Sequence, residues 1–281
     1  MKSISDPIAL RRLIREARLQ GKSVGFVATM GALHEGHVSL VRRARRSCAI
    51  TVVSIFVNPL QFAAGEDLDR YPRREAEDAK LLEGEGVDLL YLPDPKEFYP
   101  PDFSTSVEVS RVSEGGEGAV RPGHFRGVAT VIAKLFLQVQ PDAAFFGRKD
   151  LQQVAVVRRM ARDLDFPIRI ETGDIVREPD GLALSSRNAY LSADERQLAA
   201  AFPAALFEAH DKVAAGERSV PELERATRLD LEAAGLGVDY VEVVNPETMA
   251  HQTRIEHGST LTAAVRVGKT RLIDNVTLLE E

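Results

Sequence analysis

Short apolar, β-branched segments alternate with helical patterns through the first two thirds of the chain, and this alternation constrains the fold more than any other feature. The strand-like segments are residues 24–29, 50–57, 88–92, 143–146 and 168–176. Helical spacing recurs between them, around residues 38–48, 74–83, 127–138 and 151–164. A strand followed by a helix, repeated, predicts an α/β fold with a doubly wound, mostly parallel sheet. Binding sites in such sheets lie beyond the carboxyl ends of the strands.

The pattern changes after about residue 192. Two helical stretches rich in alanine and glutamate are followed by strand-like runs at 239–244, 260–267 and 271–278. A short turn at Gly268 joins the last two runs, which predicts an antiparallel hairpin. We therefore predict two domains, residues 1–175 and a smaller C-terminal α+β domain of residues 176–281. Residues 113–118, rich in glutamate and glycine, are predicted to form a mobile surface loop.

The charge balance and the cysteine content limit the classes of function. The 36 Lys and Arg residues and 42 Asp and Glu residues give a net charge of −6, so we expect no broad basic surface for nucleic acid or an anionic membrane. The single cysteine, Cys48, cannot form an internal disulfide, and the first residues do not resemble a secretion signal. We therefore expect a cytoplasmic protein without a membrane span.

Two histidines follow the first strand-like segment directly, at the start of the first helical pattern. His34 and His37 flank Gly36 in the sequence His-Glu-Gly-His. A helix start presents unpaired backbone N–H groups and favours phosphate, and two imidazoles can add donors to the same anion. The alternative is a surface loop with incidental histidines. A zinc site is less well supported, because the motif lacks the four-residue offset of the metalloprotease helix and no third ligand follows.

Two further segments carry polar side chains next to predicted elements. Asn58 and Gln61 end the second strand-like segment with side-chain amides, which can orient a small polar acid without adding charge. His124 lies in a turn rich in proline and glycine, ahead of a helical pattern. Taken alone, the Asn58-Pro59 pair is a common turn signal and favours a structural turn, whereas the His124 segment is equally compatible with a site loop and a structural turn.

The last two segments carry groups that suit phosphate. After Gly147, Lys149 can bind phosphate as a point charge and Asp150 can hold a metal ion, although a capped helix with a solvated Lys-Asp pair would look the same. Later in the chain, two hydroxyls precede a guanidinium in the run Ser185-Ser186-Arg187. Hydroxyls and a guanidinium together suit the spread charge of a polyphosphate. The alternative for this region is a helix cap, which Ser192 and Glu195 would form.

Six motifs in order resemble the pantothenate synthetase family, within the superfamily of nucleotidylyltransferases and class I aminoacyl-tRNA synthetases. They are ATMGALHEGH, SIFVNPLQF, DLDRYPR, RPGHFRGVATVIAKLF, FFGRKDLQQ and REPDGLALSSRN. The resemblance is dense from Gly25 to about Leu191. Ala28, Arg148 and Leu151 stand where the family usually has proline, glutamate and an aromatic residue, but none of them replaces a proposed catalytic group.

The resemblance implies a Rossmann-like fold, a homodimer with a C-terminal domain that closes over the site, and an ATP-dependent ligation of pantoate to β-alanine through pantoyl adenylate. It implies catalytic roles for His34, His37, Lys149 and Arg187. Pantoate and β-alanine would be bound by Met30, Asn58, Gln61, His124 and Gln153. ATP would be bound by Thr29, Met30, His37, Gly147, Lys149, Asp150, Val176, Ser185, Ser186 and Arg187. Mg²⁺ would lie near Asp78 and Asp150.

Three other functions share parts of this pattern. A nucleotidylyltransferase that stops after AMP transfer would share the His34–His37 motif but would leave the amides without a purpose. A tRNA synthetase would need a tRNA-binding surface, which this acidic chain does not offer. The presence of His34, His37, Lys149 and the Ser-Ser-Arg run together argues against a nucleotide sensor without catalysis.

Overall fold

A computed structural model describes residues 1–63 and 65–280 of the chain. The chain divides into two compact units. Unit 1 comprises Met1–Val109, Pro122–Arg148 and Val156–Asp174. Unit 2 comprises Ser110–Arg121, Lys149–Ala155 and Ile175–Glu281. Among the described residues, no helix has both the length and the apolar character that a membrane crossing requires.

Unit 1 is built on a six-stranded sheet in which every described strand pair is parallel, as predicted. The strands are β1 (Lys2–Ile4), β2 (Val24–Thr29), β3 (Ile50–Ile55), β4 (Leu89–Tyr91), β5 (Ala143–Gly147) and β6 (Arg169–Gly173), in the order β1-β4-β3-β2-β5-β6. The chain winds outward from β2 in one direction and from β5 in the other. The switch point therefore lies between β2 and β5, where such sheets bind ligands beyond their carboxyl ends.

The helices complete the layers on the sheets. In the described residues they are α1 (Pro7–Leu19), α2 (Glu35–Ser47), α3 (Glu75–Gly84), α4 (Pro95–Phe98), α5 (Gly116–Val120), α6 (His124–Val139), α7 (Leu151–Asp163), α8 (Ala193–Ala199), α9 (Ala201–Ala214) and α10 (Val220–Ala233). In α2, Val38, Val41 and Ala44 recur at helical spacing and are buried, so one face of the helix packs on the core and the arginine-rich face meets water.

Unit 2 is built on a three-stranded antiparallel sheet, again as predicted. Its strands are β7 (Gly237–Val244), β8 (Thr260–Val267) and β9 (Thr270–Thr277). The core of the unit is lined by buried side chains of α9, α10 and the sheet, among them Phe202, Leu206 and Leu261. The first of the two helical stretches predicted after residue 192, which runs through His210, is two helices in the structure, α8 and α9. The break falls three residues before Pro203, which has no N–H to donate to a preceding turn.

The prediction of a mobile surface loop at residues 113–118 is wrong. Glu117 lies in α5 and is buried, and both of its carboxylate oxygens accept hydrogen bonds from the Arg271 guanidinium (2.6 and 2.7 Å). Tyr240 donates a further hydrogen bond to Glu117 (3.1 Å). Local composition is that of a loop, but a pairing across 154 residues orders it.

The same pairing bears on the division of the chain. The predicted boundary after residue 175 assigns residues 110–121 and 149–155 to the first domain, whereas both segments lie in unit 2. Glu117 ties the first segment to β9, and Gln152 ties the second segment to the first by donating to the carbonyls of Val112 (3.0 Å) and Gly115 (2.8 Å). Both segments therefore pack with the C-terminal part of the chain through these side-chain hydrogen bonds, although they are closer in sequence to unit 1.

Candidate active site

The predicted site residues divide between the two units. Unit 1 holds Thr29, Met30, His34, His37, Asn58, Gln61, Asp78, His124 and Gly147. Unit 2 holds Lys149, Asp150, Gln153, Val176, Ser185, Ser186 and Arg187.

His34 and His37 form a reciprocal cap at the start of α2. The Gly36 N–H donates to His34 Nδ1 (3.2 Å), and the His34 N–H donates to His37 Nδ1 (3.3 Å). Two donors that a helix start leaves unpaired are thereby satisfied by imidazoles, in the arrangement of a capping box. The ring centroids lie 4.1 Å apart, so the structure brings the two predicted histidines together.

This cap fixes the proton positions of both rings. A ring nitrogen that accepts a backbone N–H carries no proton, so each neutral imidazole holds its proton on Nε2. Both Nε2–H groups are then hydrogen-bond donors at the positive end of the α2 dipole. Such a pair suits a ligand that bears negative charge on oxygen, above all phosphate.

Gly36 makes the imidazole cap possible. A Cβ at this position would lie 2.9 Å from His34 Cε1 and 3.0 Å from His34 Nδ1, closer than van der Waals contact allows. Only a residue without a side chain lets the His34 ring approach the backbone of the first helical turn. The glycine of the motif therefore positions His34.

Thr29 and Asp78 hold the loop between β2 and α2. Thr29 Oγ1 donates to the Ser54 carbonyl (2.8 Å) at the end of β2. Asp78, which is buried in α3, accepts the N–H groups of Ala32 (2.8 Å) and Leu33 (2.9 Å), one on each carboxylate oxygen. Two charge-assisted bonds from one carboxylate fix the loop that leads into the histidines.

Asn58 and Gln61 stand at a 3₁₀ turn after β3 (Pro59–Gln61) and form one hydrogen-bonded cluster with three other residues of unit 1. The Asn58 amide donates to Gln61 Oε1 (3.0 Å) and to the Gly127 carbonyl (3.1 Å). Gln61 Nε2 donates to Met30 Sδ (3.1 Å), and His124 Nδ1–H donates to the Gln61 carbonyl (2.8 Å). The structure thus brings together all four of the predicted substrate-binding residues that lie in unit 1.

Sequence reasoning missed Tyr99, which completes this cluster. Its hydroxyl donates to Asn58 Oδ1 (2.9 Å), and burial raises its pKa above the ordinary value, so the hydroxyl keeps its proton. Asn58 Oδ1 also accepts the Leu60 N–H, so both donors and the carbonyl oxygen of the Asn58 amide bond within the protein. Asn58 therefore positions Gln61. The chain around Tyr99 contains no local signal for this contact across 41 residues.

In unit 2, Lys149 and Asp150 lie in a 3₁₀ turn (Arg148–Asp150) that leads into α7. Lys149 Nζ lies 3.7 Å from Asp150 Oδ1, and the Asn275 amide donates to the Lys149 carbonyl (3.1 Å). The Lys149 ammonium is partly exposed and Gln153 is half-buried one turn into the helix. The Lys149–Asp150 pair that a capped helix would also show is present. The backbone that carries both residues is a 3₁₀ turn, to which Asn275 is hydrogen-bonded.

Ser185, Ser186 and Arg187 follow a short antiparallel connection that begins at Val176. The Leu184 N–H donates to the Val176 carbonyl (2.9 Å). Ser185 Oγ accepts the Arg187 N–H (3.3 Å) and caps a 3₁₀ helix (Ser186–Tyr190). Ser185 thus has a capping role that the sequence assigned only to Ser192, and its hydroxyl hydrogen is still a donor.

The metal prediction rests on two different kinds of carboxylate. Both oxygens of Asp78 accept backbone N–H groups, whereas the Asp150 side chain is about half exposed beside Lys149. Within residues 1–63 and 65–280, no three histidine, cysteine, aspartate or glutamate side chains form a cluster that could hold a metal ion. A magnesium ion bound through one carboxylate, phosphates and water requires no such cluster.

The sequence matches the profile of the family described as pantoate-β-alanine ligase over residues 2–277. The chain belongs to this family. It is 51% identical over 276 residues to the pantothenate synthetase of Sphingopyxis alaskensis, covering 98% of this chain and 99% of that protein. As a member of the family, it is a ligase that joins pantoate to β-alanine.

Solved structures agree in fold over 99% of the chain. The crystal structure of pantothenate synthetase from Thermus thermophilus superposes with a TM-score of 0.94 at 47% identity, covering 99% of this chain and all of that one. Pantoate-β-alanine ligase from Francisella tularensis, complexed with β-γ ATP and β-alanine, gives 0.82 at 29% identity, covering 99% and 98%. The predicted Rossmann-like parallel sheet with a smaller antiparallel sheet is thereby confirmed.

Proposed function

We propose that the ligase activates pantoate by adenylation before β-alanine enters the reaction. The observation that carries this proposal is the reciprocal cap of His34 and His37, which commits both Nδ1 atoms to the backbone and makes both Nε2–H groups donors at a helix start. The Francisella tularensis ligase, complexed with β-γ ATP and β-alanine, supports ATP and β-alanine as substrates of this chain.

In the first step, a pantoate carboxylate oxygen attacks the α-phosphorus of ATP. A new O–P bond forms, the bond from the α-phosphorus to the bridging oxygen breaks, and pyrophosphate leaves with the electron pair. Negative charge grows on the phosphate oxygens, where donors held in advance lower the barrier most. His34 and His37 supply such donors from unit 1.

Four further side chains are assigned to the phosphates in this proposal. Lys149 contributes a point charge and Arg187 a planar pair of donors, while Ser185 and Ser186 contribute single hydroxyl bonds. The remainder of ATP is assigned to Thr29, Met30, Gly147, Asp150 and Val176. These residues need only bind and orient, because adenylyl transfer needs little covalent help from protein.

Pantoate is assigned to Gln61 and Gln153, with Met30, Asn58 and His124 beside them. The Gln61 side-chain amide donates to Met30 Sδ and accepts from the Asn58 amide, which hold its rotamer, while His124 donates to the Gln61 backbone carbonyl and holds the backbone. In the second step the β-alanine amine attacks the acyl carbon. The C–N bond forms, the C–O bond to AMP breaks, and the amine releases a proton to solvent.

Mg²⁺ would be held by Asp150, with the phosphates and water completing its ligands. Its chemistry would be to neutralise charge on the phosphates. The contacts of Asp78 favour a role in holding the loop before α2. From the family resemblance alone we also propose a homodimer, which light scattering of the purified protein tests.

The proposal is tested by omitting one substrate. With ATP, Mg²⁺ and pantoate but no β-alanine, we expect one equivalent of pyrophosphate per active site, and later addition of β-alanine should release AMP and form the amide. ADP and phosphate as products would overturn adenylation. Pyrophosphate that forms only in the presence of β-alanine would overturn the order of the two steps.

A further inference from the structure

Two adjacent residues of β9 are polar and almost fully buried. Asp274 is 1% exposed and Asn275 is 2% exposed. Burial of such groups costs free energy unless each is hydrogen-bonded, so their partners indicate what they do. These partners lie in the two segments of unit 2 that carry the proposed phosphate ligands.

Asp274 contacts the segment that leads to Ser185 indirectly, through the side chain of Arg177. Its carboxylate accepts two hydrogen bonds from the Arg177 guanidinium (2.6 and 3.0 Å). The same guanidinium donates to the Gly181 carbonyl (2.9 Å) and to the Asn275 carbonyl (3.2 Å). Arg177 pairs with Ala183 in an antiparallel bridge, so this ion pair anchors the connection two residues before the hydroxyl run.

Asn275 holds the other segment directly. Its Nδ2 donates to the Lys149 carbonyl (3.1 Å), across 126 residues of sequence. Gln152, one turn further, accepts the Glu117 N–H (2.9 Å) and donates to the carbonyls of Val112 and Gly115. The backbone of the Lys149 turn and the first turn of α7 after it are therefore both hydrogen-bonded to other segments of unit 2.

We propose that Asp274 and Asn275 are positioning residues of the ligase reaction. One pair of neighbouring positions on a rigid strand sets the Lys149 turn and the Ser185–Arg187 segment together, so that their donors keep one arrangement. Neither side chain needs to touch ATP. The inference rests on the proposed assignment of Lys149 and Arg187 to the phosphates.

The test measures how Asn275 and Lys149 depend on each other. Steady-state KM values for ATP and β-alanine, kcat and Tm are measured for Asn275→Ala, Lys149→Ala and the double variant. We expect Asn275→Ala to raise KM for ATP by roughly 3- to 10-fold, the scale of one hydrogen bond, with KM for β-alanine unchanged. In the Lys149→Ala background the same substitution should have no further effect on KM for ATP.

Thr227→Val is the matched control, because Thr227 is also buried in unit 2 and donates to the Leu223 carbonyl (2.9 Å), away from both segments. It should lower Tm with KM for ATP unchanged. If Asn275→Ala does the same, or acts equally with and without Lys149, the positioning role is overturned. If Asn275→Ala does not fold, Asn275→Ser takes its place under the same criteria.

A second pair extends the test to Asp274 and separates the two proposals. Asp274→Asn should raise KM for ATP in the wild-type background and have no further effect beside Arg187→Ala. If Lys149→Ala and Arg187→Ala both leave KM for ATP and kcat unchanged, the assignment of phosphate ligands has failed. If Lys149→Ala and Arg187→Ala do change KM for ATP or kcat, but the Asp274 and Asn275 variants behave like Thr227→Val, the inference alone has failed.

Discussion

Gly36→Ala should separate activity from stability. The added Cβ would lie 2.9 Å from His34 Cε1 and 3.0 Å from His34 Nδ1, so the ring must turn away from the backbone. This rotation of the imidazole ring breaks the hydrogen bond from the Gly36 N–H to His34 Nδ1. The Nε2–H of His34 then loses both its fixed direction and its fixed tautomer.

Two opposing effects keep the change in stability small. Loss of a helix cap costs about 0.5–2 kcal/mol, whereas replacing glycine by alanine within a helix gains about 1 kcal/mol. The free energy of unfolding should therefore change by no more than about 1 kcal/mol. Activity has no such compensation, because removal of one preorganised donor to a developing anion typically slows the reaction by about 10²- to 10³-fold.

The assay is pantoate-dependent pyrophosphate release, with urea denaturation of the same preparations. Gly84→Ala is the matched control, since Gly84 also lies in a helix of unit 1 and a Cβ there meets no atom within 4 Å. We expect the control to retain wild-type activity. Wild-type activity in Gly36→Ala, or an equal loss in both variants, would refute the role of the imidazole cap.

Three further predictions concern Asp78, Gln61 and Asp239. Asp78→Asn should cost about 1–3 kcal/mol of stability in urea denaturation, because one loop N–H loses its acceptor, whereas unchanged stability with weaker Mg²⁺ affinity would favour a metal role instead. Gln61→Ala should raise KM for pantoate far more than KM for ATP, and equal effects on both would place Gln61 elsewhere. Burial alone would raise the pKa of Asp239, but the ion pairs with Arg271 and Arg266 lower this pKa by more than burial raises it. The net pKa of Asp239 is therefore below the ordinary value. The stability that Asp239→Asn removes at pH 7 should therefore shrink progressively as the pH falls below about 4, and a difference that stays constant as the pH is lowered through this range would contradict the ion-pair account.

The sheet of unit 1 was predictable because buried parallel strands read as continuous apolar runs. Val24–Thr29 is such a run, and it pairs on both sides, with β3 and with β5. Lys2–Ile4 was not predicted, since a strand of three residues at the sheet edge carries too little pattern. The strand predicted at 168–176 ends at Gly173 in the structure, because pairing with β5 stops there.

The candidate site was predictable only where its chemistry is local. His34, Gly36 and His37 are close in sequence, so the helix start and its phosphate chemistry can be inferred together. Tyr99 and Asn275 act through hydrogen bonds to residues 41 and 126 positions away. No periodicity or motif in the sequence predicts such long-range hydrogen bonds, so only the folded structure identifies Tyr99 and Asn275.

The central claim is that the imidazole pair acts in adenylate formation, and single-turnover kinetics of His37→Ala test it most directly. Rapid quenching with ATP and pantoate measures the first step, and addition of β-alanine to preformed pantoyl adenylate on the enzyme measures the second. We predict that the first step slows by about 10²- to 10³-fold while the second keeps its wild-type rate. A first step at the wild-type rate, or an equal loss in both steps, would contradict the account.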